Sequence, residues 1–166
     1  MSALSHEDRL AEAVSLRETG RDEEAVALLV DLQRDHPENA RVNLQTAWAH
    51  DKLGLEREAV PFYERALDLG LDGEDLKNAL LGLGSTYRTL GEYEKALTTL
   101  TRGVETFPGD YSLQVFRSMA LYNIGQGKDA CELLLRVVME TTADHDLLAY
   151  KEAIDLYASD LDRTWP

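Results

Sequence analysis

The sequence predicts an all-α fold in which helical hairpins are stacked and closed by one last helix. Two recurrences and one absence predict it. Gly20, Gly54, Gly91 and Gly125 recur at intervals of 34, 37 and 34 residues, and a period of that length marks a helix–turn–helix unit that stacks on its neighbours. A small residue stands seven positions before each glycine (Ala13, Ala47, Gly84, Ser118) and another five after it (Ala25, Ala59, Ala96, Ala130). Small side chains at two fixed points let paired helices approach closely where they cross. The glycine supplies the left-handed residue that ends the first helix of each pair. No stretch alternates apolar and polar residues strongly enough to read as a strand. At 166 residues and 18.6 kDa, the chain has the length of one domain, 1–166.

The elements follow in order. Ser5 with Asp8 reads as a capping box that opens the first helix. Pro37 and Pro108 fall 17 residues after Gly20 and Gly91 and close the second helices of the first and third repeats. Asn39, Asp110 and Asp144 are caps for the helices that follow them. Pro61 lies seven residues past Gly54, where it is either accommodated near a first turn or kinks the helix. The layout is four hairpins, over 6–39, 40–73, 77–110 and 111–144, and a capping helix over 145–161. Leu147, Ile154, Tyr157, Ala158 and Leu161 give that cap an apolar stripe, with Lys151, Glu152, Asp155 and Ser159 opposite.

Composition excludes several function classes. With 17 basic and 31 acidic side chains the net charge is −14, which disfavours nucleic acid and anionic membrane surfaces, both of which require clustered cations. A single cysteine, Cys131, rules out an intrachain disulfide or a multi-thiolate metal site. No apolar run is long enough to cross a bilayer. The start, MSALSHEDRLAEAV, does not read as a secretory leader. These features predict a cytoplasmic protein.

The spacing of small residues, glycines and prolines resembles the tetratricopeptide repeat family. That family carries small residues at repeat positions 8 and 20, glycine near 15 and proline at 32. The runs AWAHDKLGLEREAVPFYERAL and LGLGSTYRTLGEYEKAL also resemble a bacterial group of small stand-alone repeat proteins. The resemblance implies a right-handed superhelix with a concave groove. The family's aromatic at position 4 is replaced here by Arg9, Asn43, Leu80 and Gln114. Repeat two ends in Gly70-Leu71 in place of proline and is followed by Glu74-Asp75-Leu76, which implies a wider step. Repeat four has Thr142 at the closing position.

On the first helix of each repeat, a stripe at i, i+4, i+7, i+8 shares one face. It reads Leu10, Val14, Arg17, Glu18; Leu44, Trp48, Asp51, Lys52; Leu81, Ser85, Arg88, Thr89; and Val115, Met119, Tyr122, Asn123. The resemblance implies that these positions line the groove. The lysine and asparagine pair with which some family members clamp chaperone C-termini is absent here. Trp48 and Arg88 are the leading candidates, because tryptophan and arginine dominate interface energies. Trp48, Met119 and Tyr122 would bury a partner's apolar side chains, while Arg41, Asn78, Arg88 and Asn123 would bond its backbone or carboxylates. Leu44, Asp51 and Lys52 complete the candidate set. Leu10, Leu44, Leu81 and Val115 of the stripe suit simple helix packing better than a groove role, whereas Trp48 and Arg88 suit either. Arg17, Arg41, Lys52 and Arg88 make the set less acidic than the chain, which hints at an acidic or carboxylate-ended segment.

No catalytic constellation emerges. His6, His36, His50 and His145 lie on four different elements without metal-ligand spacing. Asp144-His145-Asp146 reads as a helix cap, His50 as a core histidine and Cys131 as a small core hydrophobe. The turn at Asp72-Gly73-Glu74-Asp75 lacks the calcium-loop pattern. The sequence therefore predicts a non-enzymatic module, without cofactor or metal, that binds a protein or peptide. The alternative is a self-associating unit in which Trp165 docks on a second copy.

Overall fold

The computed structural model describes residues 5–164, and among them it is helical throughout, without a strand. The helices are α1 His6–Glu18, α2 Asp22–Asp35, α3 Ala40–Lys52, α4 Glu56–Asp68 and α5 Gly73–Thr89. They are followed by α6 Tyr93–Thr106, α7 Tyr111–Asn123, α8 Gly127–Thr141, α9 His145–Ala149 and α10 Lys151–Ala158. The chain divides into two compact units, Met1–Gly91 and Glu92–Pro166.

The bends fall where the sequence places them. Gly20, Gly54, Gly91 and Gly125 have φ of 78°, 72°, 78° and 84°, a left-handed conformation that costs glycine nothing. All eight small residues flanking them are buried. The Asp8 backbone N–H donates to Ser5 Oγ at 3.1 Å, and the Ser5 N–H donates to the Asp8 carboxylate at 3.2 Å. Asn39, Asp110 and Asp144 each accept a backbone N–H from the first turn of the helix they cap. These bonds satisfy donors that a helix start leaves without an intrahelical acceptor. Pro61 lies exposed inside α4, which continues through it.

In the first unit, α3 packs against α2 and α4 and also meets α1 and α5. It is therefore the most enclosed element, with Val42, Leu44, Ala47 and Ala49 fully buried. Leu10, Ala13, Leu29, Leu32, Val42 and Ala49 form one hydrophobic cluster. Asn43, Thr46 and His50, buried polar residues of α3, are paired, as the interior requires. Asn43 Nδ2 donates to the carbonyls of Pro37 and Asn39 at 3.1 and 2.8 Å. His50 is a paired core residue, as expected. Its Nδ1 donates to the Thr46 carbonyl at 2.7 Å, and its ring lies 5.2 Å from that of Phe62.

The missing position-4 aromatics have a structural substitute. Asn43 bonds the Pro37 carbonyl, and in the second unit Gln114 Nε2 donates to the Pro108 carbonyl at 2.9 Å. An amide therefore ties each of these helices to the proline that ended its predecessor, where the family uses a ring. Glu74-Asp75-Leu76 do not widen a loop. They lengthen α5 to 17 residues, after the left-handed Gly70 at φ 90°.

In the second unit, α7 packs between α6 and α8, and α10 rests on α8. A Cβ at Gly103 would lie 2.6 Å from Leu113 Cδ2, so the glycine sets the approach of α6 to α7. Three expectations fail here. The cap over 145–161 is two helices, α9 and α10, which meet at Tyr150. Of its expected apolar stripe, Leu147, Tyr157 and Leu161 are exposed and only Ala158 is fully buried. Cys131 is also exposed. It follows the buried Ala130, and one residue along a helix turns a side chain by roughly 100° away from its neighbour's face.

Candidate functional site

The C-terminal halves of α1, α3 and α5 enclose a cleft of about 560 Å³ in the first unit. Arg17 and Glu18 line it from α1, Trp48, Asp51 and Lys52 from α3, Ser85, Thr86 and Thr89 from α5, and Glu56 from the start of α4. Seven of these nine belong to the stripes at i+4, i+7 and i+8 of the three first-of-pair helices. Two fall outside the pattern. Glu56 begins the second helix of its hairpin. Thr86 lies one residue from the stripe, and its hydroxyl bonds Asp51.

Trp48 carries a guanidinium on its face. The Arg17 Cζ lies 4.7 Å from the ring centroid, the geometry of a cation–π contact. Partial burial lowers the tendency of Arg17 to hold its proton, and the charges of Glu18, Tyr63 and Asp22 oppose this. Arginine remains charged throughout the physiological range. Lys52 Nζ donates to the Arg17 carbonyl at 2.6 Å and pairs with Asp22 at 2.8 Å, which ties α3 to the end of α1 and the start of α2.

Asp51 is the polar centre of the wall. Its carboxylate accepts the Tyr63 hydroxyl at 2.9 Å and the Thr86 hydroxyl at 2.8 Å, so it bonds to both α4 and α5. Burial pushes the Asp51 carboxyl up from the usual aspartate range, and the two hydroxyl bonds pull against that shift. Burial, reinforced by the adjacent Asp51 charge, also pushes the Tyr63 hydroxyl well above its ordinary value. Tyr63 reaches Asp51 over Gly82, where a Cβ would lie 2.5 Å from the tyrosine oxygen. The absence of a side chain at Gly82 therefore makes this bond possible.

The remaining candidates divide. Leu44 is fully buried between helices and offers nothing to an open surface, which corrects its inclusion in a groove. Arg41 is exposed and pairs with Asp75 at 3.3 Å. Asn78 and Arg88 are half-buried on α5, and neither lines the cleft. The Arg88 Nε is buried without a hydrogen-bond partner. In the second unit, Met119 and Tyr122 are exposed on α7, Tyr122 by 71%, with Asn123 half-buried beside them. Trp165 lies outside the described residues. Ser85 and Thr89 were legible in the stripe but stood outside the candidate set. Among the described residues no cluster of three or more histidine, cysteine, aspartate or glutamate side chains is placed to hold a metal. No helix among them is long and apolar enough to cross a membrane.

Residues 40–161 match the family model described as Tetratrico peptide repeat. The chain belongs to the tetratricopeptide repeat family. Its fold is similar to that of YrrB, a TPR protein with an unusual peptide-binding site, at TM-score 0.72 and 22% identity over 93% of this chain and 77% of YrrB. It is also similar to MamA from Desulfovibrio magneticus RS-1, at TM-score 0.69 and 16% identity over 96% and 97% of the two chains. At such identities the likeness is one of fold. Among curated proteins, this TPR chain is 29% identical over 140 residues to the aspartyl/asparaginyl beta-hydroxylases of Mus musculus and Homo sapiens. It spans only 19% and 18% of their lengths.

Proposed function

We propose that the chain is a non-enzymatic docking module that binds a peptide or protein segment in the cleft between α1, α3 and α5. The observation that carries this reading is the cleft itself, an open recess with an indole in its wall and polar groups converging around it. Grooves that capture extended segments combine an apolar anchor with directional polar groups in this way. Trp48 is the anchor, and Asp51, Ser85 and Thr89 supply the directional bonds. The peptide-binding site of the YrrB neighbour supports the reading by analogy of fold. The hydroxylase likeness supports a shared helical segment rather than shared chemistry, because it covers about a fifth of those enzymes. Charge supports a protein partner over nucleic acid or membrane. The acidic composition and single cysteine support a cytoplasmic setting.

Replacing Trp48 with Ala and Ser85 with Arg tests the reading. Partners captured by the wild-type protein are lost by the double variant while its helical circular dichroism is kept. Retention of every specific partner by a folded variant overturns the assignment.

A second reading, self-association, is favoured by one observation. Leu147, Leu148, Tyr150, Leu156, Tyr157 and Leu161 are all exposed around α9 and α10, a density of apolar side chains typical of contact surfaces. Sedimentation equilibrium over a wide concentration range tests it, and a strict monomer eliminates it.

A further inference from the structure

Building on the docking reading above, we propose that the cleft takes a basic ligand, an extended segment of another protein that carries lysine or arginine side chains. Of the four cations that would receive an acidic segment, Arg17 is engaged by the Trp48 face, two are engaged by carboxylates, and the fourth, Arg88, does not line the cleft. Lys52 is held by Asp22 and the Arg17 carbonyl, and Arg41 is held by Asp75. The wall carries three carboxylates against two cations, Arg17 and Lys52. Glu18, Asp51 and Glu56 all face the cleft, and both hydrogen-bond partners of Asp51 are neutral hydroxyls. Hydroxyl dipoles orient toward that half-buried charge without cancelling it, so an arriving cation gains an attraction that burial has strengthened.

Trp48 adds an independent indication. Its face already holds a guanidinium, that of Arg17, so the indole is presented as a surface for a cation. An incoming arginine exchanges with Arg17 there. The chain's net charge of −14 draws cationic segments toward it over long range. Charge complementarity thus selects the ligand, and the cleft selects where on this acidic surface it binds.

The probe is hexa-arginine amide, titrated by calorimetry and by tryptophan fluorescence at near-physiological salt, with hexa-glutamate as its counterpart. Glu18→Gln/Glu56→Gln is compared with Glu94→Gln/Glu105→Gln, which removes the same charge from exposed positions of α6. Two wall charges facing a bound cation predict that the first pair weakens hexa-arginine binding by about tenfold. Salt screening predicts a change of less than about twofold for the second. Equal weakening by both pairs overturns the proposal, because the binding is then diffuse. No binding of hexa-arginine overturns it as well. Hexa-glutamate binding that Trp48→Ala abolishes overturns the basic ligand while leaving the docking reading intact. Hexa-arginine binding that neither the cleft pair nor Trp48→Ala alters overturns both.

Discussion

Helix α3 and the α9–α10 pair have opposite fates. Helix α3 buries eight of its residues, including Asn43, Gln45, Thr46 and His50, whereas α9 buries none and α10 only Ala158. The difference lies in the neighbours. Helix α3 meets four other helices, while α10 rests on α8. In a fold whose units touch only adjacent units, burial depends on a helix's place in the stack as much as on its own sequence. The same enclosure that hides the front of α3 leaves its last turn to build the cleft. Asp51 is half-withdrawn from water there, and Trp48 stands in the wall.

The largest expected effect sets these two regions against each other. Leu44→Ala opens a cavity in a filled interior and lowers stability by about 3 kcal/mol. Leu156→Ala, at a position 49% exposed, changes it by less than about 0.5 kcal/mol. Urea unfolding of both variants checks the pair, and equal losses would break the comparison.

Gly82→Ala comes next. Its new methyl meets the Tyr63 hydroxyl, which Asp51 holds in place, so the expected loss is about 2 kcal/mol. The loss is smaller in a Tyr63→Phe background, where the ring is released from Asp51 and its Cζ and Cε1, 2.7 and 2.8 Å from the new methyl, can move away. Thermal melts of the single and double variants measure the coupling.

Asp51→Asn gives a pH signature. Because burial raises this carboxyl above its ordinary value of 3.8, the folded state keeps the proton after the unfolded chain has released it. The group's stabilising contribution is therefore present at low pH, falls as pH rises from about 3.8 through the raised value, and is constant above it. The stability of wild type relative to Asp51→Asn should decline across that window. A difference that rises with pH would contradict the assigned cause.

The smallest effect belongs to Arg17→Ala. It removes one exposed-edge cation–π contact, worth about 0.5–1 kcal/mol, and shifts Trp48 emission to the red as the ring gains water. Unchanged emission would show that Arg17 does not cover the ring in solution.

The hairpins were legible because their determinants are local. A left-handed glycine, a small residue at a crossing and a capping side chain act within their own turn. The cleft was legible in part, since Arg17, Trp48, Asp51, Lys52, Ser85 and Thr89 share one helical face by spacing alone. Leu44 has the same spacing and is buried, because whether a stripe position reaches the surface depends on how closely adjacent hairpins stack. The Tyr63–Asp51–Thr86 network was hidden for a related reason. It joins three helices and needs Gly82 as clearance, which no periodicity marks. The pairing of the cations was hidden too. Arg41 and Lys52 pair with Asp75 and Asp22 on other helices, which spacing along their own helix does not show.

Backbone hydrogen–deuterium exchange with and without hexa-arginine amide tests most directly whether the enclosed helices or the exposed ones make the recognition surface. The structural account predicts slowed exchange in the last turns of α1, α3 and α5, with α9 and α10 unchanged. Protection confined to α9 and α10, with the three cleft helices unaffected, would contradict it.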